Sequence, residues 1–346
     1  MNGQAGVDNC GSMSEARHMQ IKATLGHTAV VLVGFGSPLD TNHPREFLAE
    51  VFSDPVSSPL SSLGFMTKPF AYILSVFAEQ GARKRYQSIS GLKSSRQVVV
   101  DMAELLQERL KETGKDDHVV VPASRYGEPS LRSVLAGIAE AGIRDVIVLP
   151  LFPHRSIAAT GSIEAEVRRI CMRPPCYDLR VRFAGSWFES TDFVMAWVDA
   201  IREALRAFPI AVRDRVHLLC SAHSVPTSHV VERGDRYREE VEESANLISD
   251  SLGRILPMTV GYQSAPTWGG WIGPSIEDEL TLLGMKRQRD CLIAPIGFVY
   301  DNVETWCDID MDILPYAASY KIDRLKRVAP PSDSPRMINA MVAALK

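Results

Sequence analysis

Short apolar runs that alternate with helical patterns constrain the fold of this chain more than any other feature. Helical stretches such as "SLRSVLAGIAEAG" and "FVMAWVDAIREAL" lie between these runs, which end in Gly, Ser or Pro. Such alternation is typical of βαβ units with parallel strands. We therefore expect an α/β fold that binds its ligands at the loops beyond the carboxyl ends of the strands. The apolar runs are "AVVLVGFGSP", "HVVVPASRYG", "DVIVLPLFPH", "HLLCSAHSVP", "MTVGYQSAP" and "CLIAPIGFVYDN".

A sequence pattern that occurs twice in the chain predicts two similar halves. The segments "AGIRDVIVLPLF" and "LGMKRQRDCLIAPIGF" both run from a helix end through Gly and basic residues to Arg-Asp, an apolar strand and Pro. The 346 residues are enough for two domains. We expect a loose tail over residues 1–27, an N-terminal α/β domain over 28–178 and a C-terminal α/β domain over 179–321. A C-terminal helix within 322–346 is expected to complete the first domain.

Composition narrows the class of protein. With 45% hydrophobic and 23% charged residues the chain is an ordinary globular protein, and its formal charge of −4 predicts no attraction to nucleic acid. Its six cysteines form no CxxC motif, which favours free thiols and a cytoplasmic location. No apolar stretch reaches the roughly 18 residues that a membrane span needs.

An apolar segment over residues 55–78 carries a single charge, Lys68. Its first part is broken by Pro and Gly and cannot form one regular helix. One interpretation is a helix that packs in the core. The other interpretation is an apolar flap that covers a hydrophobic ligand or touches a membrane surface.

His223 ends the buried strand predicted for "HLLCSAH", where Pro226 then forces a loop. A histidine at such a place is often structural. However, loops at strand ends carry the ligand sites of α/β sheets, and histidine can take up and release a proton near neutral pH. This position therefore favours a catalytic base.

Four carboxylates follow the last apolar run. Asp301, Glu304, Asp308 and Asp312 are spaced by three, four and four positions, which would align them on one face of an α-helix. No Lys or Arg lies between positions 289 and 321 to neutralise them locally. A solvated face is the plain alternative, but a row of carboxylates that enters a pocket could pass protons or hard divalent cations.

A third stretch, "GYQSAPTWGGWIGP", crowds Tyr262, Trp268 and Trp271 into a Gly-Pro loop. Aromatic side chains in a loop often fill packing gaps, but they also form flat walls for a planar ligand. Gly34 and Gly36 make only a weak match to a dinucleotide-binding motif, because the third glycine is missing.

Several stretches together, in order along the chain, resemble the ferrochelatase family, whose members insert ferrous iron into a porphyrin. They span about residues 30–315. The resemblance implies a lyase of two similar Rossmann-like domains with parallel sheets and an active-site cleft between them. The stretches are "GFGSP", "LPLFPHRSIAATGS", "CSAHSVP" with "RGDRYREEV", "YQSAPTWGGWIGP" and "PIGFVYDNVETWCDID".

The resemblance also implies roles for individual residues. His223 falls on the pyrrole proton acceptor and Glu304 on the catalytic glutamate. The expected metal-handling residues are His223, Glu304, Asp301, Asp308 and Asp312. The expected porphyrin-binding residues are Phe35, Arg125, Tyr126, Ser221, Tyr262 and Trp271.

A mechanism follows from this assignment. We expect the pocket to bend the ring and turn the nitrogen lone pairs outward. His223 is expected to take protons on one face of the porphyrin while Glu304 and the acidic row act on the other. Asn302 stands where the family has His. Iron enters as a substrate, and no cysteine follows Cys307, so no iron–sulfur cluster and no other cofactor is expected.

The long apolar segment favours protoporphyrin IX over the more carboxylated coproporphyrin, and hence the last step of haem biosynthesis. It also favours peripheral contact with the inner face of a membrane. A coproporphyrin III ferrochelatase and a non-catalytic haem-binding or carrier protein on the same fold stay open as alternatives, and so does the oligomeric state.

Overall fold

Two parallel sheets with helices on their faces make up the chain. The computed structural model describes residues 27–58, 64–265 and 270–346, so the expected tail and parts of the flap and of the aromatic loop, including Trp268, lie outside the described residues. The first half contains β1 (Thr28–Gly36), α1 (Arg45–Phe52), α2 (Thr67–Ser88), α3 (Ser95–Glu112), β2 (His118–Tyr126), α4 (Leu131–Glu140), β3 (Asp145–Pro150), a π-helical turn (Ile157–Gly161), α5 (Ser162–Cys171), β4 (Arg180–Phe183) and α6 (Thr191–Leu205).

The second half repeats this plan. It contains a 3-10 helix (Ile210–Arg215), β5 (His217–His223), α7 (Thr227–Val231), α8 (Tyr237–Ser251), β6 (Met258–Gln263), α9 (Ile276–Met285), β7 (Asp290–Ala294), a π-helical segment (Thr305–Met311), a 3-10 helix (Leu314–Tyr320), β8 (Arg324–Arg327) and α10 (Pro335–Ala344). We call the Thr305–Met311 stretch the π segment.

The sheets have matching strand orders, β2-β1-β3-β4 and β6-β5-β7-β8, and all pairings are parallel. The predicted α/β fold with two similar parallel sheets is therefore confirmed. The central strands β1 and β5 are buried along nearly their whole length, as expected for apolar runs covered by helices on both faces.

The sheets extend past the boundaries expected from the sequence. β4 begins at Arg180 but pairs with β3 of the first sheet, so that sheet does not end at residue 178. β8 lies after residue 321 but pairs with β7 of the second sheet. Only the following helix, α10, packs across to α3 and α6. The last strand of each sheet is short, with four residues, and its apolar signal is too weak to mark it in the sequence.

Two glycines bring the carboxyl ends of the strands into close contact with neighbouring backbone. Gly36 has a φ of +107°, and a Cβ there would lie 1.9 Å from the carbonyl oxygen of Tyr126. A Cβ on Gly297, after β7, would lie 2.7 Å from the Cβ of Ala222. Only glycine fits such approaches. They fix Phe35 beside the end of β2 and the loop after β7 beside His223.

Candidate active site

His223 is the last residue of β5 and is held by backbone contacts. Its Nδ1 lies 2.5 Å from the carbonyl oxygen of Ser224, and the hydroxyl of Tyr237 donates to the carbonyl oxygen of His223 at 3.0 Å. With Nδ1 directed at a carbonyl, Nδ1 carries a proton and Nε2 is the atom free for chemistry. The side chain is 37% exposed, so Nε2 can meet a ligand from solvent.

Glu304 faces this nitrogen, with its Oε1 3.4 Å from Nε2 of His223. Burial is the largest single effect and lowers the pKa of His223, but the charge and hydrogen bond of Glu304, with smaller contributions from Ser224 and Asp308, together outweigh it and raise this pKa to about 9. Burial is the largest single effect and raises the pKa of Glu304, but the charge and hydrogen bond of His223 and the charge of Arg85 together outweigh it, so the net shift is downward. The pair is therefore an imidazolium and a carboxylate near neutral pH.

This contact corrects one expectation. A porphyrin ring cannot lie between two side chains whose polar atoms are 3.4 Å apart, so His223 and Glu304 cannot act on opposite faces in this arrangement. In this structure they form one acid–base pair.

Asn302 holds Glu304 in place. Its Oδ1 accepts hydrogen bonds from the backbone N–H of Glu304 at 2.8 Å and of Thr305 at 3.1 Å. This is the geometry by which an asparagine caps the start of a helix. The residue that replaces the family's His thus acts on Glu304 through the backbone, with its oxygen fully engaged.

The four carboxylates do not share one face, contrary to the sequence prediction. The chain forms a π segment, in which the N–H of Asp312 donates to the carbonyl of Cys307 five positions earlier at 2.9 Å. A four-residue step stays close to one turn of a π-helix, so Glu304, Asp308 and Asp312 remain near one another, and Asp301 is the member that leaves the row. Asp301 precedes the helix and turns to Arg327 at 2.7 Å, an arginine that also binds Asp310.

The outer part of the row meets a second arginine. Arg85, from α2, contacts the carboxylate of Asp308, and its Nη1 lies 3.6 Å from Asp312. The hydroxyl of Ser264 also donates to Asp308. Long-range contacts therefore partly neutralise the carboxylates that local sequence leaves unpaired. Within residues 27–58, 64–265 and 270–346, no three His, Cys, Asp or Glu side chains are grouped as a metal site.

Phe35 forms an aromatic cluster at the carboxyl ends of β1 and β2. Its ring is partly exposed and packs edge-on against Tyr126, with ring centroids 5.0 Å apart, and against Phe47 at 6.2 Å. The backbone of Phe35 also forms a hydrogen bond with the hydroxyl of Tyr300, which lies four residues before Glu304. The exposed aromatic face and the acid–base pair thus belong to neighbouring parts of the structure.

Arg125 and Tyr126 are committed to a buried carboxylate. The guanidinium of Arg125 and the hydroxyl of Tyr126 both bind the Oδ2 of Asp54, the latter at 2.7 Å, and Ser162 donates to the same oxygen at 2.5 Å. The side chain of Asp54 is fully buried. These two predicted porphyrin-binding residues therefore anchor the start of the flap to β2 and α5.

Two further predicted porphyrin contacts are buried. Ser221 is 0% exposed and donates to Gln263 at 3.2 Å, and Tyr262 is 1% exposed. Ser221 lies on β5 and Tyr262 on the neighbouring strand β6. Both side chains are covered by the surrounding structure and help to pack the second sheet. Trp271 is half-buried, and its backbone forms a bridge with Pro226 just after His223.

The flap helix α2 presents apolar side chains outward. Phe77 is 80% exposed, and the flap alternative is thereby favoured over a helix packed in the core. The helix also carries two residues near the acid–base pair that sequence reasoning missed, Arg85 and Tyr86. Burial and the charge of Glu304 raise the pKa of the half-buried Tyr86. The basic run "ARKR" before "YQS" was the only sequence signal for this end of α2. The other exposed apolar side chains in and next to α2 are Phe65, Met66, Phe70, Tyr72, Ile73, Leu74 and Val76.

Comparisons with known proteins point to one family. The profile of the ferrochelatase family matches residues 27–346. A ferrochelatase of Nostoc sp. is 30% identical over 318 residues, which are 92% of this chain and 81% of that protein. A ferrochelatase of Prochlorococcus marinus is 32% identical over 321 residues, covering 90% of this chain and 80% of that protein.

Among solved structures, SirB from Bacillus subtilis with Fe3+ matches with a TM-score of 0.55 at 12% identity, covering 92% of this chain and 94% of SirB. That likeness is one of fold. In the part of the chain that the structure describes, no helix is long and apolar enough to cross a membrane. The family match over nearly the whole chain, together with the residues gathered around His223, leads to one conclusion: this chain belongs to the ferrochelatase family and is a metal-insertion enzyme, a lyase.

Proposed function

We propose that this enzyme inserts Fe2+ into protoporphyrin IX to form protohaem. The observation that carries the proposal is the contact of Nε2 of His223 with Glu304 at 3.4 Å, at the carboxyl end of a central strand. Metal insertion releases two pyrrole protons and requires a hydrated cation to lose water. A histidine and a carboxylate in contact supply a proton acceptor and an oxygen ligand at one place.

The proton steps follow from the charge state of the pair. With a pKa of about 9, His223 holds a proton near neutral pH and cannot accept another. We infer that Fe2+ bound by Glu304 neutralises the negative charge of this carboxylate, which keeps the imidazole of His223 protonated. The imidazole then loses its proton to solvent and accepts a pyrrole proton through Nε2. A second cycle removes the second proton, so that one divalent cation replaces two protons on the ring.

Phe35 is proposed to meet the flat face of the ring. It is the exposed member of an aromatic cluster packed on β1 and β2, and rigid aromatic walls favour a planar ligand. A wall that resists movement lets binding energy bend the ring toward the shape that accepts a metal. Iron is a substrate here, and we propose no iron–sulfur cluster or other resident cofactor.

The preference for protoporphyrin is argued from charge. A more carboxylated porphyrin needs more cations, and the guanidinium of Arg125 is already paired with the buried Asp54. The nearby helix α2 offers Phe70, Ile73 and Phe77 as exposed apolar side chains instead. An apolar flap suits the less polar ring.

The same exposed face is proposed to rest on a membrane surface, on the inner side facing the cytoplasm. Co-sedimentation with phospholipid vesicles should fall for Phe77→Ser. Tyr177→Ser, which removes an exposed aromatic ring far along the chain, is the matched control. Equal binding by both variants and the wild type would contradict this contact.

The decisive experiment is an anaerobic insertion assay with ferrous iron, and with zinc as a fluorescent reporter. Protoporphyrin and coproporphyrin are offered separately to the wild type and to His223→Ala. We expect turnover on protoporphyrin that collapses in the variant. A large preference for coproporphyrin would overturn the substrate assignment, and tight haem binding without turnover would replace catalysis with a carrier role.

A further inference from the structure

The start of helix α8 is docked on the loop that follows β3, and this contact joins the second half of the chain to the first. The backbone N–H of Ile157 donates to Oδ2 of Asp235 at 2.7 Å. The backbone N–H of Arg155 donates to Oε2 of Glu240, also at 2.7 Å. Both acidic residues are buried, with exposed fractions of 8%, so these charge-assisted hydrogen bonds are shielded from water and costly to break.

Aromatic packing supports the same contact. His154, from the loop after β3, is buried, and its ring meets the ring of Tyr237 edge-on with the centroids 6.3 Å apart. Burial lowers the pKa of His154 to about 3, so the imidazole is neutral and packs as an aromatic ring. Its other ring neighbours are Phe188 at 5.4 Å and Phe193 at 6.1 Å. Tyr237 therefore cannot move without disturbing close-packed rings of the first half.

Tyr237 transmits this contact to His223. Its hydroxyl donates to the carbonyl oxygen of His223 at 3.0 Å, and its backbone N–H donates to Oδ1 of Asp235 at 3.2 Å. The carboxylate of Asp235 thus holds Ile157 of the first half with one oxygen and Tyr237 of the second half with the other. A continuous chain of contacts runs from the loop after β3 to the end of β5.

The position of that strand end matters because the two halves carry different parts of the proposed site. Phe35, the proposed wall for the ring, lies at the end of β1 in the first half, and His223 ends β5 in the second. A ring held against Phe35 presents its pyrrole nitrogens at a fixed place. Proton transfer needs the base within hydrogen-bond reach of those nitrogens, so a small displacement of His223 slows the reaction.

We propose that Tyr237 is a positioning residue for metal insertion: its hydroxyl, held in place through Asp235, fixes the end of β5 relative to the first half of the chain. The inference rests on the proposed function in that His223 accepts the pyrrole protons. Tyr237 acts through His223 and needs no contact with the porphyrin.

The test compares Tyr237→Phe with the wild type in zinc insertion into protoporphyrin. The variant removes one oxygen atom and keeps the ring that packs on His154. We expect kcat to fall about three- to tenfold, the effect of one lost hydrogen bond, with KM for protoporphyrin unchanged. An unchanged kcat, or a loss confined to KM, would overturn the proposal.

Ser244→Ala is the matched control. Ser244 lies on the same helix and is fully buried, and within the described residues its hydroxyl has no hydrogen-bond partner. This variant therefore also removes one buried hydroxyl from α8, but no contact with His223. Its kcat should equal that of the wild type, and a loss equal to that of Tyr237→Phe would overturn the proposal.

A double variant tests the link through Asp235. Asp235→Ala removes the acceptor of both N–H groups, and its kcat should fall at least as far as that of Tyr237→Phe. Because both changes release the same contact, the double variant should lose no more than Asp235→Ala alone. Asp235→Asn keeps an acceptor oxygen and should recover part of the loss. Losses in kcat that multiply in the double variant would refute the link.

A readout without turnover separates this role from the proposed reaction. The NMR signal of the His223 ring at one fixed pH, assigned with His223→Ala, should move and broaden in Tyr237→Phe and stay in place in Ser244→Ala. An unmoved signal would overturn the role of Tyr237 even where kcat falls. A moved signal in a protein that inserts no metal would refute the proposed reaction alone.

Discussion

Replacing Glu304 by Gln should lower the pKa of His223 toward its usual value. The pKa of His223 is raised to about 9 from its usual 6.5, and the charge and hydrogen bond of Glu304 are the largest causes that raise it. Burial opposes them, while smaller contributions from Ser224 and Asp308 remain in the variant. We therefore expect the pKa of His223 to fall by about 2 pH units in Glu304→Gln. Such a fall converts the imidazole at pH 7.5 from mostly protonated to mostly neutral.

The fall can be measured by NMR titration of the histidine ring carbons, with His223→Ala to assign the signal. Asp312→Asn is the matched control, because it removes one carboxylate from the end of the π segment, where the side chain faces Arg85. Its His223 signal should titrate near pH 9, as in the wild type. A pKa that moves by less than half a pH unit in Glu304→Gln would refute the assignment of Glu304 as the partner that keeps the imidazole charged.

The pH dependence of zinc insertion should shift in the same direction as the pKa of His223. If neutral imidazole accepts the pyrrole proton, the rate of zinc insertion by the wild type rises with pH until the pKa of His223 is passed. In Glu304→Gln this rising limb should move to lower pH by the same amount as the NMR titration, whatever the loss in maximal rate. A limb that stays in place would mean that another group accepts the proton.

The remaining predictions concern stability and positioning. Because the pKa of His223 is raised on folding, the pair stabilises the folded state fully below pH 6.5 and this contribution is lost as pH rises through about 9. The side chain is more than a third exposed, so we expect the free energy of unfolding in urea to fall by only about 1 kcal/mol over this pH range. His223→Ala should not show this fall, and an equal fall in that variant would contradict the assignment to His223. Asn302→Ala should cost about 1 kcal/mol and lower kcat for zinc insertion, whereas Asn302→Asp, which keeps the capping oxygen, should recover both; equal kinetics of the two would remove the positioning role. Asp54→Asn leaves the guanidinium of Arg125 without its buried partner and should cost about 3–5 kcal/mol in unfolding free energy, and an unchanged midpoint would show that the cluster contributes nothing.

The sequence predicted those features that depend on local periodicity. Apolar runs that end in Gly, Ser or Pro marked most of the strands, and the repeated order of residues around "RDVIVLP" and "RDCLIAP" anticipated two sheets of one plan. Since the carboxyl ends of parallel strands are where loops carry ligands, the position of His223 at the end of β5 could be inferred before any contact was known. Glu304 was one of four carboxylates after the strand β7, and only the resemblance to the ferrochelatase family singled it out.

The parts that sequence could not predict depend on contacts between distant positions. The acidic row looked uncompensated because no arginine lies near it in sequence, yet Arg85 comes from 223 positions before Asp308. Arg327 reaches Asp301 and Asp310 from β8 across the edge of the second sheet. The charges along one segment therefore show that it is acidic, but they do not show which distant basic residues neutralise it.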